Sequence, residues 1–339
     1  MQAREAVAWF GDRLGIGRVD VTSDVAALDS TGWWAVVVGF EGEVTCARFA
    51  DVRRGAPSPH PWPGVPTTAW SSSMPRADYV GAVERIRAGI AAGDYYQVNL
   101  CRVLAADLRR SVAPEAGLSG LAHALVAHHP APFAGLVVVP SRGIDVVSAS
   151  PELFLRRRGR DVQSGPIKGT APTAAALTAK DRAENVMIVD LVRNDFGVVA
   201  VPGTVEVPAL CAVEHHPGLV HLVSTVRATL RPDVGWPELL AAAFPPGSVT
   251  GAPKSSALTA IAELEPVPRG PYCGAVGWVD ADRQEAQLAV GIRTFWAGEG
   301  RLHLGVGAGI TWASDPAAEW DETELKAARL LTTAARVRR

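Results

Sequence analysis

The chain has 339 residues, 48% of them apolar and 20% charged, with a formal net charge of −2. That composition supports a sizeable core and either one large domain or two, and it lacks the basic field that nucleic-acid binding calls for. Cys46, Cys101, Cys211 and Cys273 form no CxxC pair, which argues against a disulfide framework or a structural zinc site and suits a reducing cytoplasm.

The N-terminus is charged where a signal peptide needs an apolar run, so export is not expected. No apolar stretch approaches membrane-span length. A short helix followed by strands is expected before residue 50. The β-branched and aromatic run 33–38 gives one strand and 43–49 another, with Glu41 and Gly42 turning between them. Six prolines (57, 59, 61, 63, 66 and 75) mark 55–75 as a surface linker rather than a core element. Val80, Val83, Ile86 and Ile90 recur at three and four, predicting a helix over 78–92 that Gly93 terminates. Residues 95–104 alternate like a half-buried strand, and a second helix covers 118–128. Strands are expected at 135–139, 144–148 and 152–157, then a long helix over 178–192. Residues 220–230 alternate as a strand, and 236–243 and 254–264 are helical. Strands follow at 276–279, 285–292, 294–296 and 302–310. A closing helix runs from Pro316 to about Arg336, with Asp315 at its cap. Grouped strands with helices between the groups make an α+β fold with mostly antiparallel sheets. Residues 1–75 form an N-terminal region with its Pro-rich linker, packed on a main unit of 76–339.

Lys168 sits in the small-residue stretch 164–170, between Gly165 and Gly169. Desolvation would make such a lysine a nucleophile, and solvation would make it a turn residue. Asp181 with Glu184, and Glu319 with Glu322, are carboxylate pairs three residues apart on predicted helices. Each pair points one way, as Mg²⁺ ligands would, although acids also favour a helix's first turn and Lys326 lies four beyond Glu322. The stretch 247–255 fails as a phosphate loop, because its glycine spacing is one short and Ala252-Pro253 precede Lys254. Gly305, Gly307 and Gly309 alternate within a strand, as a close-approaching ligand or backbone requires. His221 lies in an alternating strand. The pairs His128-His129 and His215-His216 read as loop residues, without the spacing of a helical zinc site.

Taken in order, 93–100 (GDYYQVNL), 148–152 (SASPE), 166–170 (PIKGT) and 180–195 (KDRAENVMIVDLVRND) resemble the chorismate-utilising enzymes of the anthranilate synthase component I type. The series continues with 221–224 (HLVS), 247–254 (GSVTGAPK), 291–294 (GIRT), 307–310 (GAGI) and 319–323 (EWDET). The resemblance covers about 76–330 and implies a layered α/β/β/α sandwich: two largely antiparallel sheets packed face to face, with helices outside. Lys168 points to the aminodeoxychorismate synthase component I branch, since the anthranilate synthases carry alanine there. Gln97 stands where isochorismate-forming relatives place a basic lysine.

The resemblance also implies a role for each site residue. Lys168 would add to C2 of chorismate as the C4 hydroxyl leaves, and Glu152 would protonate that hydroxyl. Ammonia from a glutamine amidotransferase partner would then attack C4, giving 4-amino-4-deoxychorismate on the route to 4-aminobenzoate and folate. Glu184 and Glu322 would hold Mg²⁺, with Asp181 and Glu319 nearby. Arg293 and Tyr272 would grip the enolpyruvyl carboxylate, and Gly169, Thr170, Gly307 and Gly309 would receive other carboxylate oxygens. Gln97, His221 and Lys326 would line the pocket. The alternative within the family is an anthranilate synthase component I or another chorismate-aminating enzyme of secondary metabolism. The chain departs from the family at Ala171 and Thr173, where arginines are usual, and at Pro246, where a glycine is frequent. Its N-terminal region is short and shows no tryptophan-binding motif, so no tryptophan regulation is expected.

Overall fold

The computed structural model describes residues 5–58, 60–108, 117–216 and 219–337, with nothing said of the side chains of Thr170, His216 and Leu219. Pro59 and Pro217 therefore lie outside the described residues. The N-terminus forms strands β1 (Ala6–Phe10) and β2 (Arg13–Thr22), not the expected short helix. Ala6, Ala8 and Phe10 are buried in alternation, and β1 is held on both edges by β2 and by a strand far along the chain. Strands β3 (Trp33–Val38) and β4 (Val44–Arg54) form the expected hairpin, with Gly42 at φ +100° in its turn.

The Pro-rich segment departs from expectation. Trp62, Val65 and Met74 are buried, and the Trp62 indole donates to the Ala334 carbonyl at 2.7 Å. The segment is a strap sealed by a tryptophan, because its prolines remove donors that a buried strap would leave unsatisfied. After β5 (Ser71–Ser72), helix α1 (Arg76–Ala92) ends on Gly93 at φ +87°. Strand β6 (Gln97–Asp107) is buried on both faces from Gln97 to Ala106, not half-buried, because helices cover it. Helix α2 (Ser119–His128) is followed by β7 (Phe133–Val139), β8 (Ile144–Ser150) and β9 (Leu153–Arg158).

Besides two-residue strands such as β5, three longer ones were not expected: β10 (Asp161–Gly165), β11 (Ile167–Ala171) and β12 (Glu206–His216). Lys168 is therefore a strand residue, and His215 lies in a strand rather than a loop. Helix α3 (Ala179–Val199) runs a turn and more beyond its predicted end. There follow β13 (Leu219–Thr229), α4 (Trp236–Ala243), β14 (Gly251–Ala252) and α5 (Lys254–Leu264). The chain closes through β15 (Ala275–Asp280), β16 (Glu285–Val290), β17 (Thr294–Gly298), β18 (Arg301–Ile310) and α6 (Pro316–Ala334).

Among the described residues every strand pairing is antiparallel, and the strands join into one hydrogen-bonded network. One run is β6–β18–β17–β8–β7, the other β3–β15–β16–β9–β10–β13–β12, and β1, β2 and β4 bridge them. Trp33, Ala35 and Val37 face one core, and Trp34, Val36 and Val38 face another. Likewise Val137 and Val139 meet Val276 in the middle core, while Leu136 and Val138 face the α2–α6 side. Period-2 alternation with both faces apolar makes two sheet layers, filled between and covered by helices outside. The α+β sandwich expected above is this structure, with its two layers continuous through the N-terminal strands.

Candidate active site

The site is assembled where β11, β6, β18 and the starts of α3 and α6 converge. The strand register of β11 against β13 shifts between Lys168 and Thr170, and Gly169 takes φ +79°. This is a bulge, and bulges re-aim side chains. A Cβ on Gly169 would lie 2.9 Å from Cβ of Asp181, so the strand passes close under the start of α3. Lys168 Nζ donates to the Ser248 carbonyl at 3.3 Å. Burial holds its pKa below the usual lysine value, Glu184 and Glu152 pull it back up, and Lys326 lowers it again.

Glu152 lies in the short connection between β8 and β9 and is 4% exposed. Burial pushes its carboxyl up to about 7, against the opposing effects of a Ser248 side-chain hydrogen bond, the Lys168 charge and the Ile167 amide. An apolar cleft lined by Phe154, Pro166, Ile188, Val192 and Phe196 runs beside it and accounts for the desolvation. A glutamate carboxyl near 7, electrostatically coupled to a lysine whose pKa burial lowers, is the kind of perturbed carboxyl–amine pair that acid–base sites contain.

Gln97 is fully buried, and neither Nε2 nor Oε1 has a hydrogen-bond partner among the described residues. A Cβ on Gly309 would lie 2.8 Å from Gln97 Nε2 and 3.5 Å from Lys168 Nζ. The amide and the amine thus meet over a strand position where only glycine leaves them room. Leaving a buried amide unpaired is costly, and such groups mark places where a ligand completes the bonding.

The carboxylates separate into different roles. Asp181 accepts from the Thr178 amide at 2.8 Å and the Thr178 hydroxyl at 2.7 Å, closing a capping box. Its carboxylate is occupied at the helix start. Glu184 on α3 and Glu319 and Glu322 on α6 share the electrostatic neighbourhood of Lys168, Lys180 and Lys326. Lys326 Nζ lies 2.7 Å from Glu322 and donates to the Gly307 carbonyl at 2.9 Å. Burial raises the pKa of Glu319, whose Oε2 has no hydrogen-bond partner among the described residues. Burial also raises that of Glu322, but Lys326, Lys180 and Lys168 outweigh it and hold it low. Among the described residues no three Asp, Glu, His or Cys side chains already converge as a metal site. The donor chemistry, carboxylate oxygens with one orphaned, nonetheless fits a hard divalent cation.

His221 is buried on β13, opposite Thr170 and Glu214. Arg293 adopts φ +49°, and burial and the nearby Arg329 lower its pKa. Tyr272 is buried, packs on the Gly305 backbone and contacts Cys101. Burial drives its pKa well above the usual phenol value. Two contributors were missed from sequence: Ser248, which touches both Lys168 and Glu152, and Lys180. Both lie inside motif stretches, the only signal that could have found them.

Fold and site together define an α+β enzyme-type site, in which a buried carboxyl and a buried amine lie near an unpaired buried amide and two helices that carry carboxylates. The chain belongs to the chorismate binding enzyme family, whose model matches residues 41–332. It is 41% identical to aminodeoxychorismate synthase component 1 of Klebsiella aerogenes, over 78% of this chain and 59% of that protein. It is 36% identical to the Salmonella typhimurium protein of the same name, over 96% of this chain and 76% of that one. Anthranilate synthase component 1 of Streptomyces coelicolor is 39% identical, over 84% of this chain and 58% of that protein. The chain therefore spans about three fifths of the length of two of these relatives. In fold it resembles anthranilate synthase component I from Streptococcus pneumoniae, with TM-score 0.77 and 21% identity over 98% of this chain and 93% of that one. It also resembles the menaquinone-specific isochorismate synthase of Escherichia coli, with TM-score 0.81 and 19% identity over 98% and 89%. Among the described residues no helix is long and apolar enough to cross a membrane.

Proposed function

We propose that the chain is the chorismate-aminating component of an aminodeoxychorismate synthase, an amino-transferring enzyme of the cytoplasm. The observation that carries this is the placement of Lys168: its buried amine is electrostatically coupled to Glu152 and lies over Gly309 next to the unpaired Gln97 amide. The neutral amine adds to C2 of the chorismate ring. Both conjugated ring double bonds shift, and the C4 hydroxyl leaves as water with the proton of Glu152. The added nitrogen returns a proton to the Glu152 carboxylate. Ammonia then adds at C4, the double bonds shift back, and the Lys168 nitrogen departs from C2 as the free amine, taking up a proton from Glu152 while the C4 ammonium gives one up. The product is 4-amino-4-deoxychorismate with its enolpyruvyl group retained, a precursor for 4-aminobenzoate and folate.

Glu184, Glu322 and Glu319 would hold Mg²⁺, which when bound would neutralise and orient the ring carboxylate. Arg293, a buried guanidinium near Arg329, suits the second carboxylate of the substrate. Ammonia would come from a separate glutamine amidotransferase. The relatives include anthranilate synthase components, but an amine at position 168 favours addition at C2 by the enzyme itself.

The test is mass spectrometry of the product formed from chorismate, Mg²⁺ and an ammonium salt. The expected product carries nitrogen at C4, and Lys168→Ala yields none. Formation of 2-aminobenzoate and pyruvate, or an undiminished rate in the variant, would refute the proposal.

A further inference from the structure

Lys180 belongs to no part of the site expected from sequence. It lies on the first turn of α3, with its side chain 49% exposed. Its Nζ stands 3.7 Å from Glu184 Oε1 on the same helix and 4.0 Å from Glu319 Oε1 on α6. It therefore links the carboxylates of both helices. Three carboxylates, Glu184, Glu319 and Glu322, face three ammonium groups, Lys168, Lys180 and Lys326. The cluster is already neutralised by the protein's own cations. One oxygen stays outside this balance: Glu319 Oε2 is buried without a hydrogen-bond partner among the described residues, on a residue 6% exposed.

The three lysines are not equivalent. Lys168 is anchored to the Ser248 carbonyl and Lys326 to the Gly307 carbonyl. Among the described residues Lys180 has no such anchor, and its contacts to both carboxylates are at the long end of ion-pair range. An exposed lysine on a flexible stem gains little from such pairs and leaves for water at little cost. A dication arriving at the same oxygens would meet the Lys180 ammonium within a few ångströms and repel it.

We propose that Lys180 is a built-in counter-ion: it holds the carboxylates of α3 and α6 together while the divalent cation is absent, and yields its place when the cation binds. This rests on the reading that Glu184, Glu319 and Glu322 receive such a cation. Lys180 is a positioning residue, since it acts only through those carboxylates.

The experiment is titration of Mn²⁺ alone into the full chain, following free Mn²⁺ by electron paramagnetic resonance. The proteins are wild type, Lys180→Met, Lys180→Arg and Glu319→Gln, each checked for fold by circular dichroism. Lys180→Met is expected to bind Mn²⁺ about tenfold more tightly, because one repelling charge is gone. Lys180→Arg keeps the charge and stays within about twofold of wild type. Glu319→Gln binds more weakly. A merely structural role for Lys180 would leave the Met variant's affinity unchanged or weaken it. If wild type binds Mn²⁺ and the Met variant binds no tighter, the counter-ion role is refuted and the cation site stands. If neither takes up Mn²⁺ at millimolar concentration, the cation reading falls and this inference with it.

Discussion

Glutamine in place of Glu152 keeps the shape of the side chain and removes its ability to ionise. The Glu152 carboxyl stands at about 7 against an ordinary 4.5. That gap of about 2.5 units, at about 1.36 kcal/mol per unit, makes ionisation inside the fold cost about 3 kcal/mol more than in the unfolded chain. Glu152 is almost wholly buried, so solvent screening takes little from this figure. Because the folded value is the higher one, the native state holds the proton more tightly. The cost is therefore absent well below the unfolded value, grows as pH rises through the interval from 4.5 to about 7, and is complete above it. Glu152→Gln escapes the cost. Its stability advantage over wild type should widen by about 2–3 kcal/mol between pH 5 and pH 8, read from urea unfolding at both pH values. The same variant should lose amination activity, since it has no proton to give. A stability difference that does not change with pH would refute the argument that burial sets the state of this carboxyl.

Gln97→Leu removes two buried polar atoms that have no partner. It should stabilise the protein by about 1–2 kcal/mol in urea unfolding while lowering kcat/KM for chorismate. Gly309→Ala and Gly307→Ala should behave differently. The added Cβ at 309 meets the movable end of Gln97 at 2.8 Å, whereas at 307 it meets the Leu100 carbonyl at 2.6 Å. The first should cost less than about 1 kcal/mol of stability yet cut kcat, and the second about 2–3 kcal/mol, measured by melting and steady-state kinetics. Arg293→Gln relieves the repulsion with Arg329 and removes a carboxylate receptor. It should raise KM for chorismate about tenfold or more with no loss of stability, and an unchanged KM would place substrate recognition elsewhere.

Local signals in the chain carried far. Helices α4 and α5 and strand β3 begin and end where periodicity and flanking residues put them. Gly93 closes α1, Asp315 caps α6 and Gly42 turns the first long hairpin. These features depend on neighbours a few residues away, which the sequence displays directly. The ordered motifs likewise pointed to the family and to most of the residues that gather at the site.

What the sequence could not display is pairing across long separations. Strand β11 follows Pro166, offers only Ile167 and Ala171 as apolar side chains around Gly169, and becomes a strand only because β13 lies beside it. The N-terminal strands are fixed by β7, and the Pro-rich strap by the far end of α6. Asp181 and Glu184 look equivalent by spacing, yet the cap claims the first and leaves the second facing Lys168. The order of residues sets which chemical groups are available and along which local elements they lie. Which of them are desolvated, orphaned or brought face to face is set when the chain folds. Desolvation and Coulomb interaction depend on distances between groups that the chain keeps far apart until it folds.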